Sequence, residues 1–229
     1  MPKRILIFSD SHSRCGVGIN MAALLEELAR RGYRTFCAQQ REDTEIQQRL
    51  AKLGVRYLWF PRAPEEDVAA FVNDQATPAR IFRDARPDLI LCANGAPAGS
   101  HGAIMAARGL AIPYMIREGL IAERFFAGND GDRAALRRNY LAARTVIAQS
   151  RENLDFLRSR LDLPADFGRV IANSAADAFF APRNQAARAA RRHQLGLSET
   201  DILCFTATGL RPIKGYAVQI QAMRHLERR

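Results

Sequence analysis

The sequence predicts an α/β fold built on a mostly parallel sheet, and three observations carry that prediction. Short apolar runs rich in Ile, Leu and Val recur along the chain, as in strands buried on both faces. Segments with apolar residues at helical spacing alternate with them, and Gly punctuates many of their ends. A chain of 229 residues, 48% hydrophobic and 25% charged, also has the length and balance to bury a sizeable core. Strand-helix alternation of this regularity places ligands at the carboxyl ends of the strands.

Taken in order, Arg4 to Phe8 is the first buried strand, and "SDSHSRCGVGIN" is the polar, Gly-bearing loop after it. Met21, Leu24, Leu25 and Leu28 then repeat at helical spacing up to Gly32, a C-terminal cap. Thr35 to Ala38 is the second strand, Glu45 to Leu53 a helix ended by Gly54, and "VRYLWF" a third strand stopped by Pro61. A loop from Pro61 to Asp67 leads into a helix over Val68 to Asp84. "DLILCAN" is a strand, "GAPAGSHG" a small-residue loop, and Ala103 to Arg108 a helix closed by Gly109. "IPYMIRE" and "TVIAQS" are strands, and Ser150 caps the helix "RENLDFLRSRL". "RVIAN" is one more strand, and Gln185 to Gln194 a connecting helix. A fresh strand over Ile202 to Ala207 and a helix from Tyr216 to Leu226 follow, so a domain boundary is expected near residues 173 to 185.

Composition narrows the function classes. The 4 cysteines are widely spaced, with no CxxC pair and no His at ligand spacing, which points to thiols in a reducing cytoplasm rather than disulfides or a metal site. The amino-terminal apolar run is too short for a signal peptide, and no run approaches the roughly 18 apolar residues of a spanning helix. Lys and Arg number 34 against 24 Asp and Glu, a formal net charge of +10, so anionic partners are favoured. The arginines are dispersed through helical segments and no nucleic-acid motif accompanies them. A solvated basic surface is therefore expected, with peripheral contact to an anionic membrane face compatible with the charge.

Four stretches carry candidate chemistry. Gly16 and Gly18 of "CGVG" let backbone approach a ligand at a helix N-terminus, where unpaired N–H groups favour anions; a tight turn without a ligand is the alternative. The dinucleotide pattern fails there, because Met21 stands where a third Gly belongs and Gln39 and Gln40 replace the acidic residue. Arg117 and Glu118 end a buried strand at the crevice, as a functional pair or as a structural ion pair. Asn94 ends the neighbouring strand, and His101 reads as a helix-start or loop residue rather than a general base. In "TGLRPIKGYAVQ", Arg211 and Lys214 occupy a turn between strand and helix, a place that suits a diphosphate or an ordinary basic turn.

Six segments in order resemble the glycosyltransferase group 1 enzymes (family 4), retaining enzymes of the two-domain GT-B architecture. "INMAALLEELARRGYRT" resembles the family's "GGxxxxxxxLAxxLxxRGHxV", "ARPDLILCANG" its "PDVVHxHG", and "GLAIPYMIREG" its "GIPxVxxxHG". "AARTVIAQSRENLDFL" is similar to "ADxVIAxSxxxxxxL", "RVIANSAADAFF" to "VIPNGVDxxxF", and "FTATGLRPIKGYAVQIQAM" to "FVGRLxxxKGxxxLIxAM". Three departures stand out. Gly209 replaces the family's Arg, Asn94 replaces the His of "VHxHG", and Glu118 stands where the His before Gly is expected.

The resemblance implies a Rossmann-like acceptor-side domain over residues 1–173, a linker over 174–200, and over 201–229 the start of a donor-binding domain whose E-x7-E motif lies beyond Arg229. It implies sugar transfer from a nucleotide-sugar donor to a glycan or lipid-linked acceptor, with retention and without a metal or cofactor, by a hexosyltransferase. The location expected from the thiols and the missing signal peptide is cytoplasmic, and the charge is compatible with the inner membrane face. The 229-residue chain alone is then expected to be inactive. Gly16, Gly18, Arg211 and Lys214 fall to the donor, and Asn20, Asn94 and Arg117 to the acceptor. No catalytic residue is assigned beyond Glu118. A non-catalytic binding module and a GT-B nucleotide-sugar epimerase are the alternatives.

Overall fold

A computed structural model describes residues 1–10, 15–40, 44–60, 72–126, 130–175, 177–209 and 214–226. The chain divides into two compact units, Met1–Ala175 and Ala176–Arg229. In the first unit seven strands form one parallel sheet: β1 (Arg4–Ser9), β2 (Arg34–Gln40), β3 (Arg56–Phe60), β4 (Leu89–Asn94), β5 (Tyr114–Glu118), β6 (Val146–Ala148) and β7 (Arg169–Val170), in the order β3-β2-β1-β4-β5-β6-β7. The order reverses between β1 and β4, and in such sheets the crevice opens there, at the carboxyl ends of the strands.

Six helices among the described residues of this unit connect the strands: α1 (Gly16–Arg30), α2 (Glu45–Lys52), α3 (Ala76–Ala85), α4 (His101–Gly109), α5 (Asp130–Leu141) and α6 (Arg151–Leu161). Local chemistry sets several of their ends. The Thr44 hydroxyl and the Gln47 side chain make reciprocal bonds at the start of α2, a capping box. The Ser150 hydroxyl accepts from the Asn153 amide at 3.1 Å at the start of α6, as expected.

Strand alternation sends side chains to two cores. Leu6, Phe8, Ile90, Cys92 and Ile116 join α3 to α6 on one face, where the Phe8 ring stacks on Phe60 at 5.3 Å and meets Phe82 edge-on at 6.2 Å. Ile7, Cys37, Leu91 and Ile147 face Met21, Leu25 and Leu50 of α1 and α2 on the other. Each fully buried Leu, Ile or Phe contributes roughly 1.5–3 kcal/mol of transfer free energy, so the two layers hold the sheet by burial. The four cysteines form no disulfide.

Four differences from the sequence reading have physical reasons. Helix α5 lies in a stretch given no element, because its charged residues hide the apolar positions; Leu136 and Tyr140, one turn apart, with the polar Asn139 mark its buried side among the described residues. Gly109 ends α4 inside the helix, and the left-handed residue that turns the chain is Ala111, at φ 53°. The helix predicted over Val68 to Asp84 is described from Ala76 to Ala85, with residues 68–71 outside the described part. Most telling, Ile202 to Ala207 forms no strand: a strand needs a neighbour's backbone groups, and the described residues of the second unit contain none. Those described residues hold a 3₁₀ turn (Asp177–Phe180) and the helices α7 (Gln185–Gln194) and α8 (Tyr216–Leu226).

Candidate functional site

The carboxyl ends of β1, β4 and β5 supply a compact polar cluster. Asp10, directly after β1, accepts from the Gly95 amide with both carboxylate oxygens, at 2.9 and 3.1 Å. The loop after β4 wraps this carboxylate so closely that a Cβ on Gly99 would lie 1.8 Å from Asp10 Oδ2, and only Gly fits. Ala98 in the same loop holds φ 70°, a left-handed conformation that costs a non-glycine residue of order 1 kcal/mol.

Parallel register sets Asn94 opposite Glu118, and the Asn94 amide donates to Glu118 Oε1 at 2.9 Å. The Tyr140 hydroxyl, from α5, donates to the same oxygen. Glu118 is 1% exposed, and its Oε2 has no partner among the described residues; neither does Asn94 Oδ1, on a fully buried residue. Burial pushes the Glu118 carboxyl up to about 7, the nearby Asp10 charge adds to this, and the Tyr140 and Asn94 hydrogen bonds and Arg117 pull the other way. Burial together with Glu118 drives the Tyr140 hydroxyl well above its ordinary value. The two donors on Oε1 favour the ionised carboxylate and burial favours the neutral acid; burial is the larger effect.

Arg117 points to the opposite face. Its Nη2 donates to Asn173 Oδ1 at 2.6 Å, the Asn173 amide to Gln149 Oε1 at 2.7 Å, and the Gln149 amide to the Gly119 carbonyl at 2.9 Å. Arg117 is 7% exposed, its Nη1 lacks a partner among the described residues, and burial lowers the guanidinium's pKa against the pull of Glu118. The structural reading of Arg117 and Glu118 as an ion pair is thus corrected: consecutive strand residues face opposite ways, and each finds its own partners.

Gly16 and Gly18 fall in the first turn of α1 rather than in a loop, behind a Cys15 cap whose sulfur accepts from the Gly18 amide at 3.5 Å. The turn meets the cluster through Val17: a Cβ on Gly119 would sit 2.7 Å from Val17 Cγ2 and 2.8 Å from the Asn94 carbonyl. Asn20 spends its amide on the Gly16 carbonyl of its own helix at 2.8 Å. The α1 turn, Asn94 and Glu118 therefore converge, with Arg117 beside them on the other face. Lys214 is exposed in the second unit, next to Gly215 at φ 73°, and Arg211 lies outside the described residues.

Sequence reasoning missed Asp10, Tyr140 and Gln149. An Asp placed directly after the first strand was a readable signal for the first; Tyr140 was hidden with its helix, and Gln149 ends a strand like Asn94 and Glu118.

A family profile described as Glycosyl transferase 4-like domain matches residues 16–206. No curated protein matches the sequence. Among solved structures, a glycosyltransferase from Rickettsia africae ESF-5 is similar with a TM-score of 0.69 at 14% identity, over 100% of this chain and 58% of that one. Anabaena HepE in complex with UDP is similar at 0.61 and 17%, over 84% and 50%. The S. aureus MnaA–UDP co-structure follows at 0.52 and 16%, over 81% and 48%. These identities speak to the fold, a Rossmann-like sheet, and the chain spans about half the length of the structures it matches. With the match covering most of its length, the chain belongs to the glycosyl transferase 4-like family.

Proposed function

We propose that the protein transfers a hexosyl group from a nucleotide-sugar to a glycan or lipid-linked acceptor with retention, and that the unit Met1–Ala175 is its acceptor side. The observation that carries this reading is the family match over residues 16–206. Anabaena HepE has been crystallised with UDP and with UDP-glucose, which supports a nucleotide-sugar donor here. In this reading catalysis rests on placement and on stabilising charge at the leaving diphosphate. Lys214 and Arg211 are the donor-side cations of this reading; in the first unit, Gly16 and Gly18 are its donor-side residues, in the first turn of α1. Glu118, Asn94, Asn20 and Arg117 belong to the acceptor side in this reading, with Glu118 a carboxyl that burial pushes up to about 7. A place at the inner membrane face suits the net charge of +10. Among the described residues no helix is long and apolar enough to cross a membrane.

The 229-residue chain alone has no turnover in this reading, because the second unit's described residues contain no sheet on which a donor site could be built. Radiolabelled UDP-, GDP- and dTDP-sugars with a membrane-lipid and glycan extract test both statements. The natural gene product that carries this chain should transfer label, and the 229-residue chain should not. Binding without turnover by the gene product would make it a binding module. Interconversion of the donor alone would make it a GT-B nucleotide-sugar epimerase.

A further inference from the structure

A cavity of about 380 Å³ lies between Val72 and Asn73, the loop after β4, the start of α4 and the start of α5. Ala98, Phe125, Phe126 and Leu136 give it an apolar wall, and His101, Asn73, Asp132 and Arg133 are its polar lining. Its volume is in the range of small-ligand sites, which combine an apolar lining with a few placed polar groups. The wall is braced: the Phe126 ring meets Phe156 edge-on at 5.9 Å, and Ala98 is held at φ 70°.

The ring state of His101 follows from its neighbours. Arg108 Nη1 donates to Asn139 Oδ1 at 2.8 Å, and a guanidinium only donates, so the orientation of this buried amide is fixed. Asn139 Nδ2, 3.1 Å from His101 Nδ1, must then donate to it. Nδ1 is therefore the bare acceptor and the proton sits on Nε2. A cationic ring would set N–H against N–H. Burial, with the Arg108 charge, also lowers the His101 pKa against the opposing pull of Asp132. Among the described residues Nε2–H has no partner, and it is a donor on a residue that lines the cavity.

We propose that this cavity binds the apolar body of an amphiphilic glycoside or alcohol, with His101 Nε2–H donating to the ligand oxygen next to that body. A lining that sets Val72 and this apolar wall beside His101 and the polar Asn73, Asp132 and Arg133 suits a ligand with an apolar body and an oxygen-bearing end. A free sugar has no apolar body to cover the phenylalanine wall, so it gains less there than an amphiphile does. Naming this occupant as the transferase's acceptor rests on the function proposed above; the binding chemistry does not.

The probe is octyl β-D-glucoside below its micellar concentration, titrated into the 229-residue chain with ¹⁵N-labelled histidine. Only 4 histidines are present, and the His101 signals are assigned by their loss in His101→Gln. The free protein should show the Nε2–H tautomer, and the probe should shift Nε2 saturably while glucose does not. Asn139→Asp offers a carboxylate to Nδ1 and draws a proton there; at a pH where the ¹⁵N spectrum of this variant shows Nε2 bare, binding should weaken at least about tenfold with Trp59 fluorescence unchanged. Ala135→Phe, which fills the cavity, should abolish it. No saturable shift, or equal affinity in both variants, overturns the proposal. Sugar transfer by the gene product without binding here would leave the proposed function standing and this site refuted; binding here without transfer would do the reverse.

Discussion

Replacing Glu118 by Gln keeps the shape of a neutral acid and removes its proton, which makes the pH dependence of stability a direct test of the cluster. In the folded chain this carboxyl is pushed up from its ordinary value near 4.5 to about 7, chiefly by burial. The folded state therefore holds the proton more tightly than the unfolded state does. The stabilisation is complete below about pH 4.5 and is lost as pH rises to 7, the opposite of a salt-bridged carboxylate. The interval from 4.5 to about 7 corresponds to about 3 kcal/mol at roughly 1.4 kcal/mol per pH unit. The amide that Glu118→Gln introduces would accept from Tyr140 and Asn94 through its carbonyl and titrate nowhere. Urea unfolding followed by fluorescence of Trp59, the single Trp and a residue of the first unit, reads this domain alone. The stability of wild type minus variant should fall by about 3 kcal/mol between pH 4.5 and 7.5, whatever constant offset the substitution brings. Parallel curves, differing by less than about 1 kcal/mol over that range, would show that Glu118 is ionised throughout and refute the neutral-acid reading.

Three further outcomes are expected. Gly119→Ala drives a methyl to 2.7 Å from Val17 and 2.8 Å from the Asn94 carbonyl, so urea midpoints should report a loss of about 1–3 kcal/mol; an unchanged midpoint would mean the α1 turn does not pack there. Ser150→Ala removes the α6 cap and should cost about 1 kcal/mol, with Ser150→Gly costing less; equal losses in the two variants would deny the cap. Arg117→Met removes a buried guanidinium with no carboxylate partner among the described residues, and stability should stay the same or rise while transfer by the gene product falls. A stability loss above about 2 kcal/mol would show that the Asn173 and Gln149 chain depends on Arg117 for structure rather than for substrate.

What the sequence determined by itself was whatever depends on neighbours along the chain. Apolar runs and helical spacing located the strands, Ser150 and Gly54 marked element ends, and polar residues directly after apolar runs put Asn94, Arg117 and Glu118 at the crevice. The parallel order of the sheet then follows from short strands joined by helices. Tertiary structure decided what those residues do. Asn94 and Glu118 are 24 positions apart and meet only because β4 and β5 pair in register. Tyr140 comes to Glu118 from a helix whose charged surface concealed it. Arg117 and Glu118, adjacent in sequence, part company because the pleat sends them to different cores. Ile202 to Ala207 shows the same dependence in reverse: its composition suits a strand, but a strand's hydrogen bonds belong to its neighbour, and no described neighbour is present. Propensity and periodicity are local energies and can be read along one dimension. Pairing, burial and the pKa that burial imposes are set by residues distant in sequence, and those arise only when the chain has folded.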